Sequence, residues 1–322
     1  MHSVPDPVLL SLGSINADFQ MRLERPVESS ETLAAHDFTR LSGGKAANRA
    51  YLARRLGHPA RLLGRVGDDD LREQALGALR DAGVDLAGVS VAAGQPTAFY
   101  VIAVPPTGKK AILLAGNAND AWDDDAAQAA ADRIAAAPDG SVLAVDYEVP
   151  ASVVRREAAA RAKGLCLVLD PSWPERAECD VMAGAFAIAP NAGEAEALVG
   201  VKVSDPASAA EAARRLAALG PRLAFVKLED GGCVLAEQGG AIIHIPPTDV
   251  PVVDTTGAGD AFTGALAVAV LEGMAPRDAV LFAVAASHLA VTAWGSQPAY
   301  PDRVRIEALV PDLARGMRDL PA

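Results

Sequence analysis

The segment Asp254-Thr255-Thr256-Gly257-Ala258-Gly259-Asp260 holds the densest set of residues able to do chemistry. Gly257, Ala258 and Gly259 make a tight turn with exposed backbone N–H groups, and the apolar segment from Ala261 to Leu271 reads as a helix. A helix start offers unpaired N–H donors and the positive end of the helix dipole, which suits the charge on a transferring phosphoryl group. Asp260 stands at that start. A carboxylate beside an anion cradle can act as general base toward a hydroxyl nucleophile. An Asp after a glycine turn is equally a common helix cap, so the residue type alone leaves both roles open.

Two further segments carry polar groups at useful spacing. Ser42-Gly43-Gly44-Lys45-Ala46-Ala47-Asn48 is a second glycine turn opening a helix. It lacks the upstream glycine and the Ser or Thr after Lys45 that a Walker A loop needs. Lys45 and Asn48 lie one helical turn apart and can face one ligand, although a solvated lysine after a plain turn fits as well. In Gly13-Ser14-Ile15-Asn16-Ala17-Asp18, the alternating Asn16 and Asp18 point to one side of an extended segment and offer partners for vicinal hydroxyls.

These residues need elements to hold them. Val8–Leu12, Ala60–Val66, Val142–Val145, Leu165–Leu169, Ala185–Ala189 and Leu223–Leu228 read as buried strands. Helical patterns cover Ala46–Leu56, Leu71–Ala82 (capped by Asp70), Ala126–Ala136, Val153–Ala162, Glu194–Val199, Ala207–Leu219, Ala261–Leu271 and Asp278–Val291. From Val142 onward strands alternate with helices, which implies parallel βαβ units with helices on both faces of a sheet. Strands at Phe19–Leu23 and Phe38–Leu41 and a hairpin across Thr97–Leu114 fall outside that alternation. They are expected to form a small separate sheet, while Val234–Leu235 and Ile242–Ile245 read as a hairpin.

Composition bounds the partners. The chain has 322 residues, 51% of them hydrophobic but only 4% aromatic, so the core is built from Ala, Val and Leu. A net charge of −12 repels phosphate backbones and anionic membranes, which excludes nucleic acid and membrane surfaces as main partners. Cys166, Cys179 and Cys233 fit no zinc spacing and no disulfide framework. The start of the chain lacks a basic signal region and no apolar run reaches membrane-span length, so a cytoplasmic protein is expected. His2, His36, His58, His244 and His288 are scattered without ligand spacing. The acidic runs Asp68–Asp70 and Asp123–Asp125 read as helix starts.

In this order and spacing the three polar segments resemble the ribokinase (PfkB) family of carbohydrate kinases. Gly67-Asp68-Asp69, Pro190-Asn191 with Glu194, and Gly295-Ser296-Gln297-Pro298 extend the resemblance over the whole chain. It implies a ribokinase-like three-layer α/β/α sandwich with a mostly parallel central sheet. Residues 1–322 would form a single domain with a β lid built from about 17–41 and 96–116. It further implies ATP-dependent phosphorylation of a primary hydroxyl, of a pentose such as ribose in the first instance. A nucleoside, fructose or ketodeoxygluconate remains open, as does a non-catalytic binding regulator on the same fold.

The resemblance also implies site roles. Asn16, Asp18, Gly44, Lys45, Asn48 and Glu148 would hold the sugar, and Asp260 would be the base. The backbone of Gly257, Ala258 and Gly259 would form the anion hole. Asn191, Lys227, Glu229, Gly232, Gly257 and Gly259 would meet ATP, and Glu194 would meet Mg²⁺ through water. Asp254 with the carbonyls of Thr256 and Gly295 would take a monovalent cation such as K⁺. A homodimer through the lid is implied as well. Glu229 stands where the family usually has glycine, Val284 where a polar residue approaches adenine, and Ala299 where a serine completes the cation site. Phe99, Ile112 and Leu114 are expected to bear on acceptor choice.

Overall fold

The computed structural model describes residues 6–28, 32–107, 110–160 and 164–321. His2, Gly108 and the expected helix end at Ala162 lie outside them. The strands are β1 (Leu9–Leu12), β2 (Asn16–Leu23), β3 (Ala35–Gly43), β4 (Ala60–Gly67), β5 (Asp85–Ala92), β6 (Ala98–Val104), β7 (Ala111–Ala115), β8 (Val142–Asp146), β9 (Cys166–Asp170), β10 (Ala187–Ile188), β11 (Leu223–Lys227), β12 (Cys233–Glu237), β13 (Ile242–Ile245) and β14 (Arg318–Leu320). The helices are α1 (Lys45–Arg55), α2 (Leu71–Asp81), α3 (Asp124–Ala135), α4 (Ala151–Ala160), α5 (Cys179–Ala183), α6 (Ala192–Val199), α7 (Pro206–Ala218), α8 (Ala258–Leu271), α9 (Pro276–Ala290) and α10 (Arg303–Gly316).

A ten-stranded sheet runs β14-β13-β12-β11-β10-β9-β8-β1-β4-β5. It is parallel from β11 through β5 and antiparallel across β11, β12, β13 and β14. Side chains alternate across each strand. Leu9, Val142, Ala144, Val168 and Phe225 pack with α1, α2, α8, α9 and α10 on one face. Leu10, Leu12, Leu143, Val145, Leu169 and Val226 pack with α3, α4, α5, α6 and α7 on the other. The result is the expected three-layer sandwich.

The second sheet has four strands in the order β3-β2-β6-β7. It is mixed, because β2 pairs antiparallel with β3 but parallel with β6, and β6 pairs antiparallel with β7. Register puts Asp18 beside Tyr100, and Gln20 beside Ile102, which faces Ile112.

Several elements depart from the sequence expectation, and β5, α5, α10 and β14 have no counterpart in it. β5 is half-exposed and interrupted by Gly88, which hides its pattern. α10 contains Pro311 but starts cleanly on Asp302, whose side chain accepts from the Arg305 N–H at 2.9 Å. Asp70 does not cap α2, since it already has helical φ and ψ and makes no cap bond. Its neighbour Asp69 instead accepts from the Thr97 N–H and hydroxyl, pinning the entry to β6. Asp123 does cap α3, accepting from the Ala126 N–H at 2.8 Å.

Glu157 on α4 is fully buried, and neither of its carboxylate oxygens has a partner among the described residues. Burial pushes this carboxyl up to about 8 from an ordinary 4.5. A carboxyl raised by folding stabilises fully below its unfolded value, and that contribution is lost as pH climbs toward the folded one. Stability should therefore fall between about pH 5 and pH 8. Glu157→Leu should flatten that slope and melt higher than wild type at about pH 8 in thermal scans; a variant melting lower there would contradict the assignment.

Candidate active site

At the carboxyl ends of the parallel strands lies a cavity of about 940 Å³ roofed by the lid sheet. Open α/β sheets place ligands at this end. The wall groups into a lid-side compartment and a second one along β11, α6 and α9, with the glycine turn between them.

Asp260 is the third residue of α8, at the turn. Gly257 precedes that helix with a φ of 75°, a left-handed conformation that glycine adopts without strain. A Cβ there would also lie 2.7 Å from the Tyr300 hydroxyl, which donates to the Gly257 carbonyl at 3.1 Å. In the first turn of α8 the Ala258 N–H donates to the Thr255 carbonyl at 3.4 Å and the Ala261 N–H to the Gly257 carbonyl at 2.8 Å, which leaves the Gly259 and Asp260 N–H groups as the donors without a backbone acceptor among the described residues, beside the cavity wall at Gly257, Ala258 and Gly259. The dipole's positive end falls there.

The Asp260 carboxylate is nearly buried and doubly oriented. Asn48 Nδ2 donates to its Oδ2 at 2.7 Å, and Lys45 Nζ stands 3.7 Å from its Oδ1. Gln297 Nε2 donates to Asn48 Oδ1 at 3.1 Å, which turns the Asn48 amide N–H toward Asp260. Lys45 also lies 3.9 Å from Glu148 Oε1, which accepts from the Tyr100 hydroxyl at 2.5 Å. Burial alone would depress the Lys45 ammonium, but Asp260, Asp170 and Glu148 outweigh it and hold it well above the usual lysine range. Burial, with the charges of Asp260 and Glu148, raises the Asp18 carboxyl well above the usual range.

Asp18, Gly44, Lys45, Asn48 and Glu148 thus meet around Asp260 on the cavity wall. Asn16 does not line it. Asn16 is fully buried, its Oδ1 accepts from Asn119 Nδ2 at 2.8 Å, and its Nδ2 lacks a partner among the described residues. Asp18 Oδ1 and Glu148 Oε2 also lack partners there. Of the lid residues singled out, Ile112 lines the cavity, but Phe99 sits edge-on to Phe19 on the opposite face, 6.0 Å between centroids. Leu114 lies beyond the wall, and Tyr100, Ile102 and Lys110 line it instead.

Asn191, Glu194, Lys227, Glu229 and Gly232 line the second compartment. Asn191 and Glu194 form a reciprocal cap of α6, with Glu194 Oε2 accepting from the Asn191 N–H at 2.8 Å. Burial and the charge of Asp170 raise the Glu194 carboxyl. Asp170, at the end of β9, is a site residue that sequence reasoning missed; it reads there as a strand terminus. Burial would raise its carboxyl, but Lys227, Lys45 and Arg49 outweigh that and lower it. Glu229 is solvent-exposed on the turn between β11 and β12, so its carboxylate can avoid an anionic ligand. Val284 is buried in the core of α9, off the wall; one and two turns on, Ser287, His288 and Val291 line it.

Asp170 and Glu194 are hard oxygen donors, too few for a protein-held metal cage but fitting Mg²⁺ carried by nucleotide phosphates. The expected monovalent-cation set fits poorly. Asp254 is fully buried off the wall, and its carboxylate takes four donors: Gln20 Nε2, the Gly295 N–H, and the N–H and hydroxyl of Thr256. Those fill its acceptor positions. Ala299 adds no side-chain oxygen, leaving the carbonyls of Thr256 and Gly295.

The model of the pfkB family carbohydrate kinases matches residues 7–303. A ribokinase of Arabidopsis thaliana is 31% identical, covering 94% of this chain and 81% of the relative. A ribokinase of Haemophilus influenzae is 30% identical, covering 92% and 95%. The solved structure of Arabidopsis thaliana ribokinase complexed with ribose and ATP superposes with a TM-score of 0.79 at 31% identity, covering 95% of this chain and 99% of that one. A Thermotoga maritima ribokinase gives a TM-score of 0.80 at 28% identity, covering 95% and 99%.

Gly43 offers a direct test of the lid-side compartment. A Cβ at this position would lie 2.0 Å from Asp18 Oδ2, so Gly43→Ala must displace that carboxylate. The variant should weaken binding of a hydroxylated ligand by about tenfold or more, on the scale of one lost charged hydrogen bond, and change nucleotide affinity by less than about twofold. Calorimetric titration of each ligand checks this, and equal loss of both affinities would contradict two separable compartments.

Proposed function

The chain belongs to the pfkB family of carbohydrate kinases and is an ATP-dependent sugar kinase; we propose that its acceptor is the primary hydroxyl of a pentose, ribose in the first instance. The observation that carries the reading is the lid-side compartment, where buried Asp18 Oδ1 and Glu148 Oε2 lack partners among the described residues beside Asp260. Buried polar atoms are rarely left unpaired, and a ligand with several hydroxyls would pair both. The ribokinase names of the relatives, and the ribose and ATP bound to one of them, support the same choice.

Asp260 accepts the proton of the attacking hydroxyl. The freed oxygen forms a bond to the γ-phosphorus of ATP as the bond to the ADP oxygen breaks. Lys45 and Asn48 hold the Asp260 carboxylate in place and aim it. The first-turn amides of α8 take up charge on the transferring group, and Lys227, near Gly259, adds to the cradle. Asp170 and Glu194 would hold Mg²⁺, which when bound would supply charge neutralisation on the phosphates. Asn191, Lys227, Glu229 and Gly232 border the nucleotide. The lid excludes water, which would compete as acceptor.

A second reading, an acidic sugar such as ketodeoxygluconate, draws on Lys110, whose ammonium enters the cavity in addition to that of Lys45. We read residues 1–322 as a single domain carrying the lid. The lid's outer face bears exposed Phe38 and Leu113, an apolar patch suited to a second copy of this chain as a homodimer. Cys166, Cys179 and Cys233 form no disulfide among the described residues, which suits a reducing cytoplasm, and no helix among the described residues is long and apolar enough to cross a membrane.

Purified protein with ATP, Mg²⁺ and a panel of pentoses, hexoses, acidic sugars and nucleosides should turn over ribose with the highest kcat/KM. Turnover restricted to nucleosides or acidic sugars would overturn the pentose assignment. Asp260→Asn should lower kcat by about 10²–10⁴ with sugar affinity within about threefold of wild type. Leu113→Asp should halve the mass found by sedimentation; a wild type that already sediments as a monomer would remove the lid dimer.

A further inference from the structure

Lys110 reaches the site from the lid. It stands one residue before β7, and its Nζ donates to the carbonyl of Thr255, 145 positions along the chain, at 2.8 Å. Thr255 opens the turn that runs through Gly257 to Asp260. The ammonium is therefore tied to the anion cradle by a neutral acceptor. Among the described residues, no carboxylate lies within ion-pair distance of it. The charges that face it are Asp254, Asp260 and Asp18, opposed by Lys45. Burial pulls the Lys110 ammonium down to about 8.

Holding a desolvated ammonium on a single carbonyl is unfavourable unless an anion completes its shell. An ammonium has three donors, and Lys110 lines the cavity where the γ-phosphate must stand between the two compartments. Asp254, on the far side of the turn, has its acceptor positions filled by protein donors, so the fixed cation beside the cradle comes from the chain itself. Because the lid carries Lys110, the charge arrives only with closure.

We propose that Lys110 is a catalytic residue carried by the lid, whose ammonium binds the transferring phosphoryl group at the glycine turn and stabilises the charge developing on it. The inference rests on the kinase reading but not on which sugar accepts. Closure then both excludes water and completes the electrostatic cradle, so the site is charged correctly only when it is covered.

The test compares Lys110→Met and Lys110→Arg with wild type, using thermal melts to confirm folding. With whichever acceptor turns over, Lys110→Met should lower kcat by about 10²–10³, as loss of one preorganised donor does, with both KM values within about threefold. Lys110→Arg should retain most of kcat and hold kcat/KM for ATP at pH values above about 8, where that of the wild type declines as Lys110 of the free enzyme loses its proton. Ammonium chloride should restore at least about tenfold of the rate to Lys110→Met and leave wild type unchanged, a response that a merely structural lysine would not give. An Lys110→Met variant with unchanged kcat and a raised acceptor KM would overturn the proposal and make Lys110 an anchor for an acidic acceptor; unchanged kcat and KM would also overturn it. Binding of ADP with aluminium fluoride, relative to ADP alone, reads the same charge without an acceptor. Wild type should favour the mimic and Lys110→Met should lose that preference. If no sugar in the panel turns over, the pentose reading fails by itself, and this binding ratio still decides for or against Lys110.

Discussion

Arg49 and Asp146 form an ion pair with no solvent exposure at the carboxyl ends of β1 and β8, Nη2 to Oδ2 at 2.7 Å. Arg49 also donates to the Leu12 carbonyl and the Ser11 hydroxyl, and Asp146 accepts from the Ser14 and Glu148 N–H groups. One pair therefore joins the first strand, the first helix, the start of the lid and the segment bearing Glu148. Lys45 and Asn48 sit on the same helix just before Arg49. Removing one partner of a buried pair strands the other charge, at a cost of about 3–5 kcal/mol. The placing of the acceptor-side residues depends on it.

Around that anchor the chain solves an electrostatic problem. Its net charge of −12 would repel a nucleotide, yet Lys45, Lys110 and Lys227 all border the cavity with the glycine turn. Asp18, Glu148, Asp170 and Asp260 stand among these lysines, so charges of both signs meet on the cavity wall. Burial strengthens such interactions in both directions. It also explains why Asp18 is raised while Asp170 is lowered: Asp18 faces other carboxylates, and Asp170 faces Lys227 and Lys45.

Much of this arrangement could be read from sequence because it rests on local chemistry. The glycine turn, the apolar helix after it and the alternating strands all carry their own signals, and the order of elements implies the layered sheet. The residues that bring distant segments together were harder to see. Asp170 looks like any strand end until Lys227 and Glu194 are placed beside it. Tyr100 and Phe99 differ by one position, and only the register with Asp18 decides which of them faces the ligand. Lys110 lies in a turn between two strands, and no local pattern marks its contact with Thr255. The cap expected at Asp70 went to no one, because Asp69 was needed by Thr97.

The central claim is that Asp260 and the cradle beside it transfer phosphate to a primary hydroxyl of ribose. Phosphorus NMR of the protein incubated with ATP, Mg²⁺ and ribose tests it most directly. The account predicts a new phosphomonoester resonance split by the two protons of one methylene group, growing as the γ-phosphate signal fades. Release of the γ-phosphate solely as inorganic phosphate, or an unchanged ATP spectrum, would contradict it.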